Sequence, residues 1–176
     1  MKNVLTKALT LSGLFAVAIN VQAGGFSQSQ LPKEVQVPAG NQMVMATHAK
    51  GNITWKCEDK GGKAAWKFAG PRAILTDIQG NHKVSYYGGP ATWEALDGSV
   101  ITGKQLATSP SKAGSIPMQL VKANPSPRDG ELKGVTYIQR INLNGGKAPA
   151  EACTMNKIGH TMIVNYSGDY LFWKAK

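Results

Sequence analysis

Acidic residues are scarce: ten Asp and Glu face twenty Lys and Arg in 176 residues. Charged side chains make up only 17% of the chain, below the ~25% of an ordinary soluble protein. That composition excludes charge-driven disorder, a coiled coil and a collagen-like repeat. Cysteine is limited to Cys57 and Cys153, and histidine to His48, His82 and His160. No C-x-x-C, H-x-H or H-E-x-x-H spacing occurs, so neither a redox dithiol nor a zinc centre has a signature. No cofactor and no metal is expected. No G-x-G-x-x-G follows a strand pattern, and no P-loop or G-x-S-x-G is present. No segment carries an apolar stripe of helical period through three turns.

What is present begins with an address. Lys2 and Lys7 precede an apolar run, Ala8 to Ile19, and Val21-Gln22-Ala23 fits a small-x-small cleavage site. This is the pattern of a secretory signal peptide over residues 1–23. The run is too short for the ~20 residues of a spanning helix, and no later segment is apolar enough to replace it. A periplasmic or secreted protein is expected, without a transmembrane segment after cleavage. Losing two lysines leaves 18 basic against 10 acidic residues. In an exported chain with two cysteines, a Cys57–Cys153 disulfide is expected.

Residues 24–30 are polar and read as a flexible lead-in. From Leu31 to Lys176, short alternating or apolar runs are broken by Gly, Pro, Asn and Asp. This predicts one all-β domain with little helix, an antiparallel sandwich or barrel. Strands are expected at 42–48, 53–57, 64–68, 72–78, 83–87, 99–102, 116–122, 134–142, 161–166 and 170–173. Asp97-Gly98 reads as a two-residue hairpin turn. Folding residues 53–68 about Lys60-Gly61-Gly62 sets Trp55 opposite Trp66, Ile53 opposite Phe68 and Cys57 opposite Ala64. Period two then puts these six side chains on a core face. Lys56 and Lys67 fall on the outer face. With Lys60 and Lys63 they form a basic cluster, which reads as a solvated face or as an attraction for phosphate-rich envelope polymers or lipid head groups. Export and the lack of a recognised motif argue against nucleic acid as a partner.

The segment His82 to Ser99 is densest in side chains that carry chemistry. Tyr86, Tyr87 and Trp93 beside Gly88-Gly89-Pro90 suggest a stacking surface for a sugar or a base. Arg140, on a mid-sheet strand, suits a ligand carboxylate, or equally an ion pair with Asp or Glu inside the fold. These four are the candidate ligand-binding residues. His82, Glu94 and Asp97 are the candidates for acid–base catalysis. The simpler reading makes Trp93 core, Asp97 a turn former and Glu94 a solvated edge charge. Met43 and Met45 share one strand face and read as core, with His48 on the other face, so a copper site is disfavoured.

Taken in order, several of these segments resemble a known family. They are Trp55-Lys56-Cys57, Trp66, Gly70-Pro71-x-Ala73-x-Leu75, Tyr87-Gly88-Gly89-Pro90-x-x-Trp93-Glu94 and Asp97-Gly98-Ser99-Val100. Ile116-Pro117, Ile138-Gln139-Arg140, Asn144-Gly145-Gly146-x-x-Pro149, Cys153 and Val164-x-Tyr166-x-x-Asp169-Tyr170 follow. The combination resembles the domain-of-unknown-function family 3455, uncharacterised exported proteins of bacteria and fungi. The likeness spans about Leu31 to Phe172. Some members carry the labels malate dehydrogenase or superoxide dismutase. This chain lacks the dinucleotide-binding βαβ unit of the first and the histidines of the second. It also departs from the family after Ile116-Pro117, where Met118-Gln119-Leu120 replaces the usual Trp and Leu.

Three functions are consistent with these residues. The leading one is non-enzymatic binding of a glycan or an anionic envelope polymer. The second is a small secreted hydrolase using Glu94 or Asp97 with His82. The third is a structural envelope or stress protein with no small ligand. The oligomeric state has no signature.

Overall fold

The structure, a computed structural model, describes residues 26–176. The signal peptide expected at residues 1–23 lies outside that range. Eight antiparallel strands follow one another around a closed barrel. They are β1 (Asn41–Asp59), β2 (Ala64–Thr76), β3 (His82–Tyr87), β4 (Thr92–Ala95), β5 (Val100–Ser109), β6 (Met118–Ala123), β7 (Val135–Gly145) and β8 (Thr161–Ala175). Pairing of β1 with β8 closes the wall, from Asn41↔Ala175 to Lys56↔Thr161. Of sandwich and barrel, the chain forms the barrel, and closure gives every strand of the described residues a neighbour on each side. The described residues contain no α-helix, only 3-10 turns at Gln28–Gln30, Lys33–Val35 and Met155–Lys157.

Ten short strands were expected, and eight form because β1, β2 and β8 each run through a glycine that reads as a break. Gly51, Gly70 and Gly168 are bends inside continuous strands. A glycine is required at Gly51. A Cβ there would overlap the Arg72 carbonyl oxygen and lie 2.5 Å from Ala73 Cα. The backbone of β2 comes so close there that no side chain fits between the two strands. The short strand β4 hid within the chemistry-rich segment. Its turn to β5 is longer than the two residues expected: Gly98 N donates to Ala95 O at 3.0 Å, and Ala95 N donates to Ser99 O.

The β1–β2 hairpin has a different register from the one expected. Trp55 pairs with Phe68, Cys57 with Trp66 and Asp59 with Ala64. The tip is Lys60–Lys63, closed by Lys60 N donating to Lys63 O and by Gly62 N donating to Asp59 Oδ1. Gly61 and Gly62, both at positive φ, make that tip possible. A slip of two residues keeps every side chain on its face. The six residues are not one core, however. Ile53 and Cys57 are buried, Trp55 and Trp66 are half-buried, and Phe68 is exposed: a bulge at Ala69, opposite the step from Thr54 to Trp55, shifts the register, and β2 before Arg72 has no β3 partner, so the hairpin runs on beyond the barrel. On its outer face Lys56 and Lys67 stand directly opposite, and Glu58 bridges them at 3.6 and 3.0 Å.

The Cys57–Cys153 disulfide is formed, with Cα atoms 5.5 Å apart. It ties the loop between β7 and β8 to the protruding hairpin. Trp66 Nε1 donates to Glu151 O of the same loop at 2.7 Å.

Side chains fill the barrel. Tyr86, Trp93, Tyr170 and Phe172 meet Ile53, Leu75, Ile101 and Ile138 in one buried cluster. A second, smaller cluster sits outside the wall, where Leu31 and Val37 cover Ile141, Leu171 and Trp173. The segment expected as a flexible lead-in enters this layer: Phe26 packs on Trp173 at 6.4 Å, and Gln28 accepts from Val37 N at 3.0 Å. Gln139, fully buried, donates to Val35 O beneath it.

Candidate functional site

In a β-strand, consecutive side chains point to opposite faces. Tyr86 and Tyr87 therefore part company, and so do Trp93 and Glu94. Tyr86 and Trp93 point into the barrel, where they are 4% and 1% exposed. Their rings stack at 4.7 Å, and Tyr86 meets Tyr170 at 5.3 Å. Arg140 also points inward. Its Nη2 donates to Pro117 O at 3.0 Å, its Nε has no partner, and no carboxylate of the described residues lies within ion-pair distance, so the internal pair with Asp or Glu does not form. Three of the four candidate binding residues thus lie in a filled interior, and only Tyr87 stands on the outer wall.

The interior group is electrostatically unusual. Burial pushes the Tyr86 and Tyr170 phenols well above the ordinary range, and pushes Tyr166 up to about 12. The Arg140 charge works against that rise at all three. Tyr166 and Tyr170 hydroxyls lie 3.1 Å apart. A buried guanidinium without a carboxylate is costly. The tyrosine hydroxyls and the Pro117 carbonyl are what surround it.

Outside, Tyr87 and Glu94 belong to a groove of about 620 Å³ that crosses β1, β2, β3 and β4. The Tyr87 hydroxyl donates to Glu94 Oε2 at 2.7 Å. That bond is the main cause of an upward shift of the phenol, because ionising it would set two anions together. Lys50, Asn52, Arg72, Ile74 and Ser85 join them in the lining, with Gly51, Ala73 and Tyr86 at its floor. Strand register brings them together from four distant segments: Arg72 pairs with Asn52 and Tyr87, and Ser85 with Ile74 and Glu94. Lys50 and Arg72 have no carboxylate partner among the described residues. Their spacing in sequence carries no motif. The only available signal was their place on the polar side of alternating strands.

The catalytic candidates do not meet. Glu94 is in the groove. His82 Nε2 lies 3.1 Å from Ser85 Oγ, outside the groove lining. Asp97 is a strut: it accepts from Ser99 Oγ at 2.7 Å, Ser99 N at 2.9 Å and Glu131 N at 2.7 Å. Those bonds hold its carboxyl below the ordinary range and tie the β4–β5 turn to the loop before β7. Among the described residues no three His, Cys, Asp or Glu side chains gather as a metal site.

One arrangement escaped the sequence reading. A bulge at Val44 shifts the β1–β8 register between Met43 and Met45. Met45 packs against the core as expected, but Met43 turns outward and is 42% exposed. It lines a smaller groove of about 320 Å³ with Phe26, Ile78 and His48. There His48 Nδ1 lies 2.9 Å from Asp169 Oδ1, and Asn142 donates to Asp169 Oδ2. Register sets Met43 opposite Trp173 and His48 opposite Asp169, so the two stand far apart along β1.

A closed antiparallel barrel with a packed lumen and a polar groove on its wall is the class of protein that these features define. The chain belongs to the family described as "Protein of unknown function (DUF3455)", whose model matches residues 38–174. The match begins just before β1 and ends one residue short of the end of β8, so it takes in all eight strands. No curated protein and no solved structure matches the chain.

Proposed function

We propose that this protein is an exported, non-enzymatic binding protein that holds a glycan or an anionic envelope polymer on its outer wall. The groove around Tyr87 and Glu94 carries the reading. It offers an exposed aromatic ring, hydrogen-bonding side chains of both signs, and two cations without partners. That mixture suits a hydroxylated, partly acidic ligand better than an apolar one. The packed lumen supports the same choice, since small barrels that hold ligands inside need space there. The signal-peptide pattern and the disulfide support an oxidising compartment outside the cytoplasm. A hydrolase built on His82, Glu94 and Asp97 has less support, because the three side chains are directed to different tasks.

The test is equilibrium binding of acidic and neutral oligosaccharides to the wild-type protein, Tyr87→Ala and Arg72→Ala. Both side chains are exposed on the wall, so both variants are expected to fold. Loss of a ring contact and of a charge contact should each weaken binding about tenfold or more. Unchanged affinity in both variants would remove the groove from consideration.

A further inference from the structure

We propose that the ligand is an extended acidic polysaccharide that runs across the strands and occupies two depressions at once. This deepens the reading above and rests on it. The second depression, about 560 Å³, lies over β7, β8 and β1, with Asn144, Asn165 and Ser167 on its far side. It meets the first groove at Lys50, Gly51 and Asn52, which line both.

Register turns this adjacency into a track. One row of paired residues runs Ser167, Lys50, Ile74, Ser85 and Glu94. Beside it runs Asn165, Asn52, Arg72, Tyr87 and Thr92. Each row spans five neighbouring strands, β8 to β4. Four steps between strands make roughly 19 Å, more than one sugar ring covers. A ligand that touches both ends is therefore a chain, and it lies perpendicular to the strands.

The side chains state what kind of chain. Hydroxyls recur along both rows, at Ser167 and Ser85 in the first and at Tyr87 and Thr92 in the second, and the second adds the amides of Asn165 and Asn52, matching a ligand rich in hydroxyls. Lys50 and Arg72 stand near the middle as free cations. The single carboxylate, Glu94, sits at one end and is already engaged by Tyr87. Two cations are few for a polyphosphate or a nucleic acid, whose binding is dominated by contacts to charge. They suit a polysaccharide with occasional carboxylates.

The experiment is calorimetry with uronic-acid oligosaccharides from monomer to octamer, their neutral counterparts and polyphosphate. Affinity should climb with length and level off once the chain spans both depressions. The double variant Asn144→Ala/Asn165→Ala should lose about tenfold for long chains and nothing for the dimer. Both asparagines are exposed, so the variant should melt with the wild type. Affinity that is independent of length, or long-chain binding untouched by the double variant, overturns the track while leaving the groove around Tyr87 intact. Equal binding of neutral chains overturns the acidic assignment. Binding of polyphosphate alone overturns the polysaccharide. No binding at any length removes the groove reading as well.

Discussion

Breaking the Cys57–Cys153 bond tests how this barrel is held together. The cross-link spans 96 residues of sequence, so it removes one of the largest loops available to the unfolded chain. The loop-entropy relation gives about 4–5 kcal/mol at 25 °C for a loop of this size. For a domain of this length that corresponds to a fall in melting temperature of about 10–18 °C. The native state should change little, because other bonds hold the same loop in place. Cys57 N donates to His160 O at 2.8 Å, Gly159 N donates to Cys57 O at 2.9 Å, and Trp66 Nε1 reaches Glu151 O. The assay is denaturant unfolding of the oxidised protein, the reduced protein and the Cys57→Ala/Cys153→Ala variant. All should fold, the last two should lose stability by similar amounts, and their unfolding slope should rise as the unfolded chain expands. A loss below about 1 kcal/mol with an unchanged slope would refute the entropic argument. A reduced protein as stable as the oxidised one, beside a much weaker alanine variant, would assign the effect to packing of the buried Cys57.

Gly51→Ala should cost about 3 kcal/mol or more, since the new methyl meets backbone of β2 that cannot give way; a thermal melt within a degree or two of wild type would refute the claim that the approach of β2 requires a glycine there. The buried tyrosines should set the alkaline limit. Their folded pKa values lie above the unfolded value of ~10, so their contribution is complete below that pH and is lost as pH rises through the folded values, about 12 for Tyr166. Tyrosinate absorbance and unfolding should therefore rise together, whereas tyrosines that all titrate in a folded barrel near pH ~10 would place them outside it.

Much of the fold was legible because it is local. Alternation of period two, turn residues and the missing helical stripe point to antiparallel strands wherever the chain is cut. The outcome at Gly51, Gly70 and Gly168 shows where that logic stops. A glycine that ends a strand and a glycine that bends one look the same in sequence, and only contact with a neighbouring strand separates them. The hairpin at Lys60–Lys63 teaches the same lesson about register. A shift of two residues preserves the face pattern, so the hydrophobic pattern could not choose, and the Asp59–Gly62 bond in the turn did. At Val44 a single bulged residue moved Met43 to the opposite face, which no count along an unbroken strand anticipates.

The candidate site divides along the same line. Sequence alone determines that Tyr86 and Tyr87 point to opposite sides and that Trp93 and Glu94 do likewise, and it leads to the expectation, met in the structure, that the two cysteines pair. These follow from backbone geometry and from composition. Which side is the inside was decided by closure, when β8 returned to pair with β1 and gave the sheet a lumen. Tyr86, Trp93 and Arg140 then became the contents of the barrel. Tyr87 and Glu94 were left on the wall beside Lys50, Asn52 and Arg72, residues that only pairing between strands could bring to them.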